Sequence, residues 1–370
     1  MRIGIYAGSI RPGGGLTVLI QVIKAFSEDK MNKVIVYVGE DDTSNSLQLI
    51  FEELENVEEK RFLPQGGAAL RYIASKFYFL YESLSEKLDW VFSFNYFLFS
   101  TCPVAVYHIN LLSFRPSEPD SFTMKTKRID ARLACRISSE NLFESKYLMG
   151  IARQQMQGGI SNSSLLYISV SPEFVAESMV RLSSNEVLST HSDLLLVSSI
   201  QAHKDNETCL GCLKILYERL PDTPWKLRVA GGQSIGQWSD FERLAQEMGL
   251  LDCVEILGPI DKKALAHHMH KSLCLINTSR VESFCMVAIE AMAASCPVIV
   301  VDSTSMPESV GDAAVIVSPG SVKMFANSVI NFNNNKAFRD DYIERGKLRV
   351  AKMSDSDFSN TLRNCLFENE

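Results

Sequence analysis

Short, nearly uninterrupted apolar runs recur along the chain. They read RIGIYAG, KVIVYVG, DWVFSF, VAVYHI and LLYISVS, then DLLLVSS, KLRVAGG, CVEILG, SLCLINT, PVIVVD and AAVIVSP. Runs rich in β-branched residues and lacking polar alternation predict strands covered on both faces, as in a parallel sheet. Between them the period lengthens. After the first run Leu16, Leu19, Ile20 and Ile23 fall at i, i+3, i+4 and i+7, which predicts a helix laying an apolar stripe on one sheet face.

Strands alternating with helices imply an α/β architecture, and eleven candidate strands are too many for one small sheet. At 370 residues the chain suits two domains, with about 150 residues each as a prior. The expected division is residues 1–185, joined by a returning helix near 352–370, and residues 190–351. The polar interval 181–193, RLSSNEVLSTHSD, is the expected linker. Two doubly wound, Rossmann-like domains facing one another would form a cleft lined by the carboxyl ends of both sheets, where open α/β sheets take ligands.

The formal charge of −7 argues against generic nucleic-acid binding. Residues 125–153 nevertheless lean basic, which fits a solvated helix face or contact with a phosphate-bearing or membrane-bound acceptor. Nine scattered cysteines, several in apolar runs, suit buried thiols in a reducing cytosol. MRIGIYAG opens as a strand, with no secretory signal expected. The most apolar window, WVFSFNYFLFSTCPVAVYHI, is interrupted by Asn95, Pro103 and His108, so it predicts two strands and a turn, not a membrane span.

The first βα connection places Gly13, Gly14 and Gly15 directly before a helix, where backbone N–H groups can meet an anion. It carries neither G-x-G-x-x-G nor a Walker lysine. Several other strings lack the context their chemistry needs. GGQSIG contains G-x-S-x-G around Ser234, but the later histidines, His267, His268 and His270, crowd on one helix. Cys209 and Cys212 form a solitary CxxC within a helical pattern, without a second ligand pair. DSD at 355–357 fits a helix N-cap better than a metal–nucleotide site. No metal site is expected.

One stretch is more specific: RVESFCMVAIEAMAASCPVIV, residues 280–300. It predicts a loop over Ser279–Ser283 and a helix over Phe284–Ala294. The N–H groups of Phe284, Cys285 and Met286 would then face an anion. Glu282 and Glu290 lie roughly 12 Å apart at 1.5 Å per residue, too far for an acid/base dyad on one bond. They suit two ends of an extended ligand, or a solvated loop and a helix surface.

This stretch, continued through VDSTSMPESVGDAAVIVSP, resembles the signature of the family-4 retaining glycosyltransferases, of GT-B fold: S-x-x-E-G-F-G-L-x-x-L-E-A-M-A-x-G-x-P-V-V, then P-E-x-x-G-D-A. The match covers about forty residues, with weaker echoes in the glycine-rich first loop, VSSIQAHKDN and VEILGPIDKKALAHHMHKS. The resemblance implies that Glu282 contacts the transferred sugar, with Phe284 and Cys285 near its hydroxyls or the diphosphate. Glu290 would hold the ribose, and Lys204 would neutralise the diphosphate leaving group. Gly14 and Gly15 would face the same diphosphate, and His108 would lie near sugar and acceptor or be a satisfied strand-end histidine. Ser199, Gly232, Gly258, Ser283 and Met286 complete the implied donor site.

Departures stand beside the match. Ser283 and Cys285 replace two glycines and Val287 a proline, so bulk at Cys285 would narrow the sugar pocket or restrict the approach of a ligand to the backbone. The family's arginine beside the lysine is absent, with His203 nearby and Arg280 or Arg11 as substitutes. The implied activity is metal-independent, retaining transfer of a hexose-type sugar from a nucleoside-diphosphate donor to a glycan or lipid-linked acceptor, in surface polysaccharide or glycoconjugate biosynthesis. It needs no cofactor beyond the donor substrate. A cytoplasmic protein is expected, and the reading admits peripheral contact with the inner face of a membrane. A catalytically inactive partner of the same fold and a sugar-nucleotide epimerase remain as alternatives.

Overall fold

The computed structural model describes all residues except 9, 11–12, 40–41, 62–67, 116–121, 177–191, 200, 233–236 and 368–370. The expected linker and Ser234 therefore fall outside the described residues, almost wholly in the first case. The chain divides into two compact units, Met1–Ser169 with Asp355–Glu370, and Val170–Ser354. The division precedes the polar interval, and Val170 donates its N–H to the Met353 carbonyl within the second unit.

The first unit is a seven-stranded sheet of order β3-β2-β1-β4-β5-β6-β7. Its strands are β1 Arg2–Tyr6, β2 Lys33–Val38, β3 Val57–Arg61, β4 Trp90–Phe94, β5 Val104–His108, β6 Glu140–Phe143 and β7 Ser163–Leu165. Every pairing is parallel, as continuous apolar runs require. Two strands escape the hydrophobic pattern. The edge strand β3 reads VEEKR, with only Val57 buried, and β6 has four residues. LLYISVS, residues 165–171, predicts a strand that the observed β7 meets only at Leu165, after which the chain leaves the ladder.

The helices of this unit are α1 Gly14–Ser27, α2 Asp42–Glu53, α3 Ala68–Ser85, α4 Phe122–Ile137 and α5 Lys146–Met156. Leu19 and Ile23 of α1 are buried as the stripe predicts, but so are Val18 and Val22, while Leu16 and Ile20 are half-buried. The chain's last helix, Asp355–Phe367, packs on α1 and widens its covered face: Phe367 meets Phe26, and Ser359 and Arg363 bond Glu28. Asp355 accepts a hydrogen bond from Ser169 Oγ at the start of that helix. Helices α3 and α4 contribute Phe79 and Ala134 to one cluster with Tyr37, Val91 and Val106, so they share the sheet's opposite face.

The second unit is a six-stranded parallel sheet of order β10-β9-β8-β11-β12-β13. Its strands are β8 Asp193–Val197, β9 Lys226–Ala230, β10 Val254–Gly258, β11 Cys274–Asn277, β12 Val298–Val301 and β13 Val315–Val317. The helices that follow are α6 Asn206–Arg219, α7 Gln237–Glu247, α8 Lys262–Lys271, α9 Met286–Ala293, α10 Met306–Val310, α11 Val322–Asn334 and α12 Lys336–Val350, and α13 is the terminal Asp355–Phe367. Cys209 and Cys212 are buried free thiols on α6, packing one turn apart. His270 is also interior and donates Nδ1–H to the Ala294 carbonyl.

His108 closes β5 with no exposed surface. Its ring stacks on Phe143 at 4.7 Å, and Nε2 lies 2.9 Å from Asn141 Oδ1. Asn141 Nδ2 already donates to Ser161 and Asn162, so Oδ1 is the acceptor and Nε2 carries the proton. Burial pushes the imidazole pKa down to about 4, against a smaller rise from the Asn141 bond. The folded chain thus keeps His108 neutral where the unfolded chain binds a proton, so stability is full above pH 6.5 and falls as pH drops toward about 4. His108 is expected to contribute about 3 kcal/mol of acid destabilisation over that window. Denaturant unfolding at a series of pH values should show this slope in the natural chain and a shallower one in His108→Phe.

Candidate active site

Strand order reverses between β8 and β11 in the second unit. The chain leaves β8 toward β9 and leaves β11 toward β12, so the two following loops part and open a crevice at the strands' carboxyl ends. After β8 comes a turn of 3₁₀ helix, Ala202–Lys204. After β11 comes the loop Thr278–Cys285. Thr278 Oγ1 donates to the Lys204 carbonyl at 2.8 Å, and Arg280 N–H donates to the His203 carbonyl at 2.7 Å. These bonds hold the loops in register.

Lys204 Nζ consequently lies 2.7 Å from Glu282 Oε1, with both side chains partly buried. Residues 78 positions apart in the sequence meet as an ion pair. Beside it Arg280 pairs with Asp205 at 2.9 Å. Burial, then the Lys204 cation, lowers the His203 pKa, which disfavours a positive charge there in place of the absent arginine. Arg11 lies outside the described residues.

A run of hydroxyls after β12 pins the Glu282 loop from its other side. Thr304 Oγ1 accepts the Glu282 N–H at 3.0 Å, Ser305 Oγ donates to the Glu282 carbonyl at 2.9 Å, and Ser303 Oγ donates to the Arg280 carbonyl at 2.6 Å. These positions escape a reading by motif, although DSTSMPES shows an unusual density of hydroxyls after a buried strand.

The helix α9 starts at Met286, two residues later than the pattern predicts. The Cys285 N–H is not free, since it reaches Ser309 Oγ at 3.4 Å. The helix is thus headed by the N–H groups of Met286 and Val287, for which no hydrogen bond is found among the described residues. The expected narrowing by Cys285 is corrected by its direction. The thiol is buried and accepts a hydrogen bond from Asn277 Nδ2 at 3.1 Å, inside the domain. Its φ of −86° is ordinary, and Ser283 also lacks a positive φ, so neither position demands glycine conformationally.

Glu290 sits half-buried on α9, and no hydrogen bond to its carboxyl is found among the described residues. Desolvation raises its pKa to about 7, the Lys262 cation offsetting part of the rise and Glu173 adding to it. Ser199 and Gly232 follow β8 and β9, and Gly258 ends β10, so these candidates line up along adjacent strand ends. Gly231, beside Gly232, is the glycine that sterics require. Its φ is +151°, and a Cβ there would overlap the Ser198 carbonyl oxygen.

In the first unit the reversal falls between β1 and β4. Gly13, at φ +127°, caps α1, and a Cβ on Gly14 would meet nothing within 4 Å, leaving open space at that helix start. A small polar pocket lined by Asn95, Tyr96, Asn110, Ser113 and Lys127 lies after β4 and β5. Among the described residues no three His, Cys, Asp or Glu side chains converge to hold a metal ion.

Residues 184–349, spanning nearly all of the second unit and this site, match the family Glycosyl transferases group 1. The chain is 31% identical over 139 residues to an exopolysaccharide phosphotransferase of Streptomyces coelicolor, covering 36% of this chain and 14% of that protein. It is 32% identical over 124 residues to D-inositol 3-phosphate glycosyltransferase 2 of Catenulispora acidiphila, covering 32% and 29%. With the mouse alpha-1,3/1,6-mannosyltransferase ALG2 it shares 26% over 174 residues, 44% and 42% of the two chains. The matched region spans less than half the length of each of these relatives. Whole-chain similarity in structure extends to Anabaena HepE in complex with UDP-glucose, at TM-score 0.74, 17% identity and full coverage of both chains. It extends equally to sucrose-phosphate synthase of Thermosynechococcus elongatus, at TM-score 0.78, 17% identity and full coverage of both. The chain has the GT-B fold, and its second unit is related to the glycosyl transferases of group 1.

Proposed function

We propose that the chain is a retaining glycosyltransferase, moving a hexose-type sugar from a nucleoside-diphosphate donor to an acceptor hydroxyl in surface polysaccharide or glycoconjugate assembly. The observation that carries this reading is the Lys204–Glu282 pair at the strand-order reversal, one helix start away from the desolvated Glu290. Relatives named for sugar transfer, and a solved structure of like fold holding UDP-glucose, support the same substrate class.

In the proposed complex the diphosphate lies against the Met286 and Val287 N–H groups, drawn by the positive end of α9. Lys204 turns from Glu282 to a diphosphate oxygen, where negative charge grows as the bond to the sugar C1 breaks. Glu282, released, accepts a sugar hydroxyl. The acceptor oxygen bonds C1 on the face the diphosphate leaves, and its proton passes to the departing diphosphate. Glu290 accepts hydrogen bonds from the two ribose hydroxyls. The Cys285 thiol turns inward and does not obstruct this arrangement, which weakens one of the two grounds for an inactive homologue and leaves the missing arginine as the other.

The test is consumption of UDP-, GDP- and dTDP-sugars, with and without glycan and lipid-linked acceptors, and the anomeric configuration of any product by NMR. Lys204→Ala is expected to lower kcat by about 10²–10³-fold. The reading fails if no donor binds or is consumed, or if Lys204→Ala and Glu282→Ala turn over like the parent.

Glu290 gives a separate pH dependence. Its carboxylate form accepts both ribose hydroxyls, whereas below pH 7 the free protein holds a proton that binding must displace. Donor Kd should therefore be level above about pH 8 and weaken by up to about tenfold per pH unit below 7. Titration calorimetry across this range should show the slope, with Glu290→Gln weaker throughout and flat.

A further inference from the structure

Helix α3 is apolar on two sides, with Phe79 buried in the core cluster and a second stripe facing solvent. Its interior side carries Glu82, which is 2% exposed and held by Tyr37 Oη at 3.0 Å and by the Lys60 ammonium. Its solvent side carries Phe77, Leu80, Tyr81 and Leu84, at i, i+3, i+4 and i+7, with Phe77, Tyr81 and Leu84 exposed by 59, 64 and 61%. A stripe with helical period is normally the side a helix buries. Here a periodic apolar side has no cover among the described residues.

Phe99 extends this surface, its ring 5.4 Å from that of Phe77. Helix α4 continues it. The two helices are joined by the Lys76–Asp130 ion pair at 2.6 Å and lie on the same sheet face. The outward side of α4 presents Ile129, Leu133 and Ile137 at four-residue intervals, with Ile129 66% exposed. Interleaved on that side are Lys125, Arg132 and Arg136, all exposed. None of these three has a carboxylate partner among the described residues. In a chain of net charge −7, one face is thus apolar and positive together.

We propose that the α3–α4 face docks on an anionic lipid surface, its apolar side chains entering the headgroup boundary while the cations meet lipid phosphates. Charge selects this occupant over a second copy of the chain. A two-fold contact through the same face would bring Lys125, Arg132 and Arg136 against their counterparts with no exposed acidic side chain among the described residues of the two helices. A bilayer rich in anionic headgroups supplies the missing charge and covers the apolar stripe at once. Among the described residues no helix is long and apolar enough to cross a membrane, so the contact is peripheral. The inference does not depend on the sugar-transfer reading, because lipid binding is measured without turnover.

The test is co-sedimentation of the whole chain with vesicles of phosphatidylcholine alone and of phosphatidylcholine with phosphatidylglycerol at roughly 7:3. The natural chain is expected to partition at least about tenfold more onto the anionic vesicles. Arg132→Glu with Arg136→Glu should lose that preference. Phe77→Ser with Leu84→Ser should lower binding at low and high salt alike, with unchanged circular dichroism and melting in both variants. Equal partition onto both vesicle types, or either variant binding like the parent, would overturn the proposal. So would a lipid-free dimer that Phe77→Ser with Leu84→Ser dissolves, which would make a second copy the occupant.

Discussion

The reversal of strand order between β8 and β11 is the constraint on which the site depends. Consecutive parallel strands require crossovers that return over a sheet face, so loops leaving on either side of the reversal diverge. Divergence opens a crevice but leaves its walls unsupported. Here two backbone-directed bonds, from Thr278 to the Lys204 carbonyl and from Arg280 to the His203 carbonyl, tie the walls together. Hydroxyls after β12 fix the far side of the same loop. The side chains at the crevice inherit their positions from these ties.

The two glutamates are held in different electrostatic states. Glu282 is matched by Lys204, and a partly buried pair of this kind gains little net stability, because desolvation offsets most of the attraction. Its partners can therefore be exchanged for a ligand's groups at small cost. Among the described residues Glu290 has no such partner, and desolvation raises its pKa. A ligand that donates hydrogen bonds to it would favour the carboxylate form that burial disfavours. The two acids thus differ in kind, the charge of one already matched by Lys204 and the protonation of the other shifted by burial.

Much of this was legible in the amino-acid sequence, for reasons that also explain the gaps. Strands covered on both faces announce themselves as apolar runs, which is why ten of the thirteen described strands could be read in place, while the run LLYISVS met β7 only at Leu165. The exceptions are VEEKR, an edge strand with mostly exposed side chains, and ENLF, too short to carry a pattern. The stretch from Glu282 to Glu290 was legible because a loop and a helix start are local. The Lys204–Glu282 contact was not, since it depends on which strands become neighbours. Nor could periodicity tell that the stripe on α3 faces outward, because period marks a face and not what covers it. The burial of Glu82 on the other side rests on Tyr37 and Lys60, both distant in sequence.

Cys285 shows how a departure from a motif can leave its geometry intact. A glycine at a helix start offers a positive φ, or close approach of a ligand to bare backbone. The first is not used here, because φ is −86°. The second is not lost through bulk, because the thiol turns inward to Asn277. What changes is the donor set. Ser309 takes the Cys285 N–H, so an anion at this helix start meets Met286 and Val287 instead. The residue that restricts this end of the crevice is therefore Ser309, through the hydrogen bond it accepts, and not the cysteine that replaces glycine.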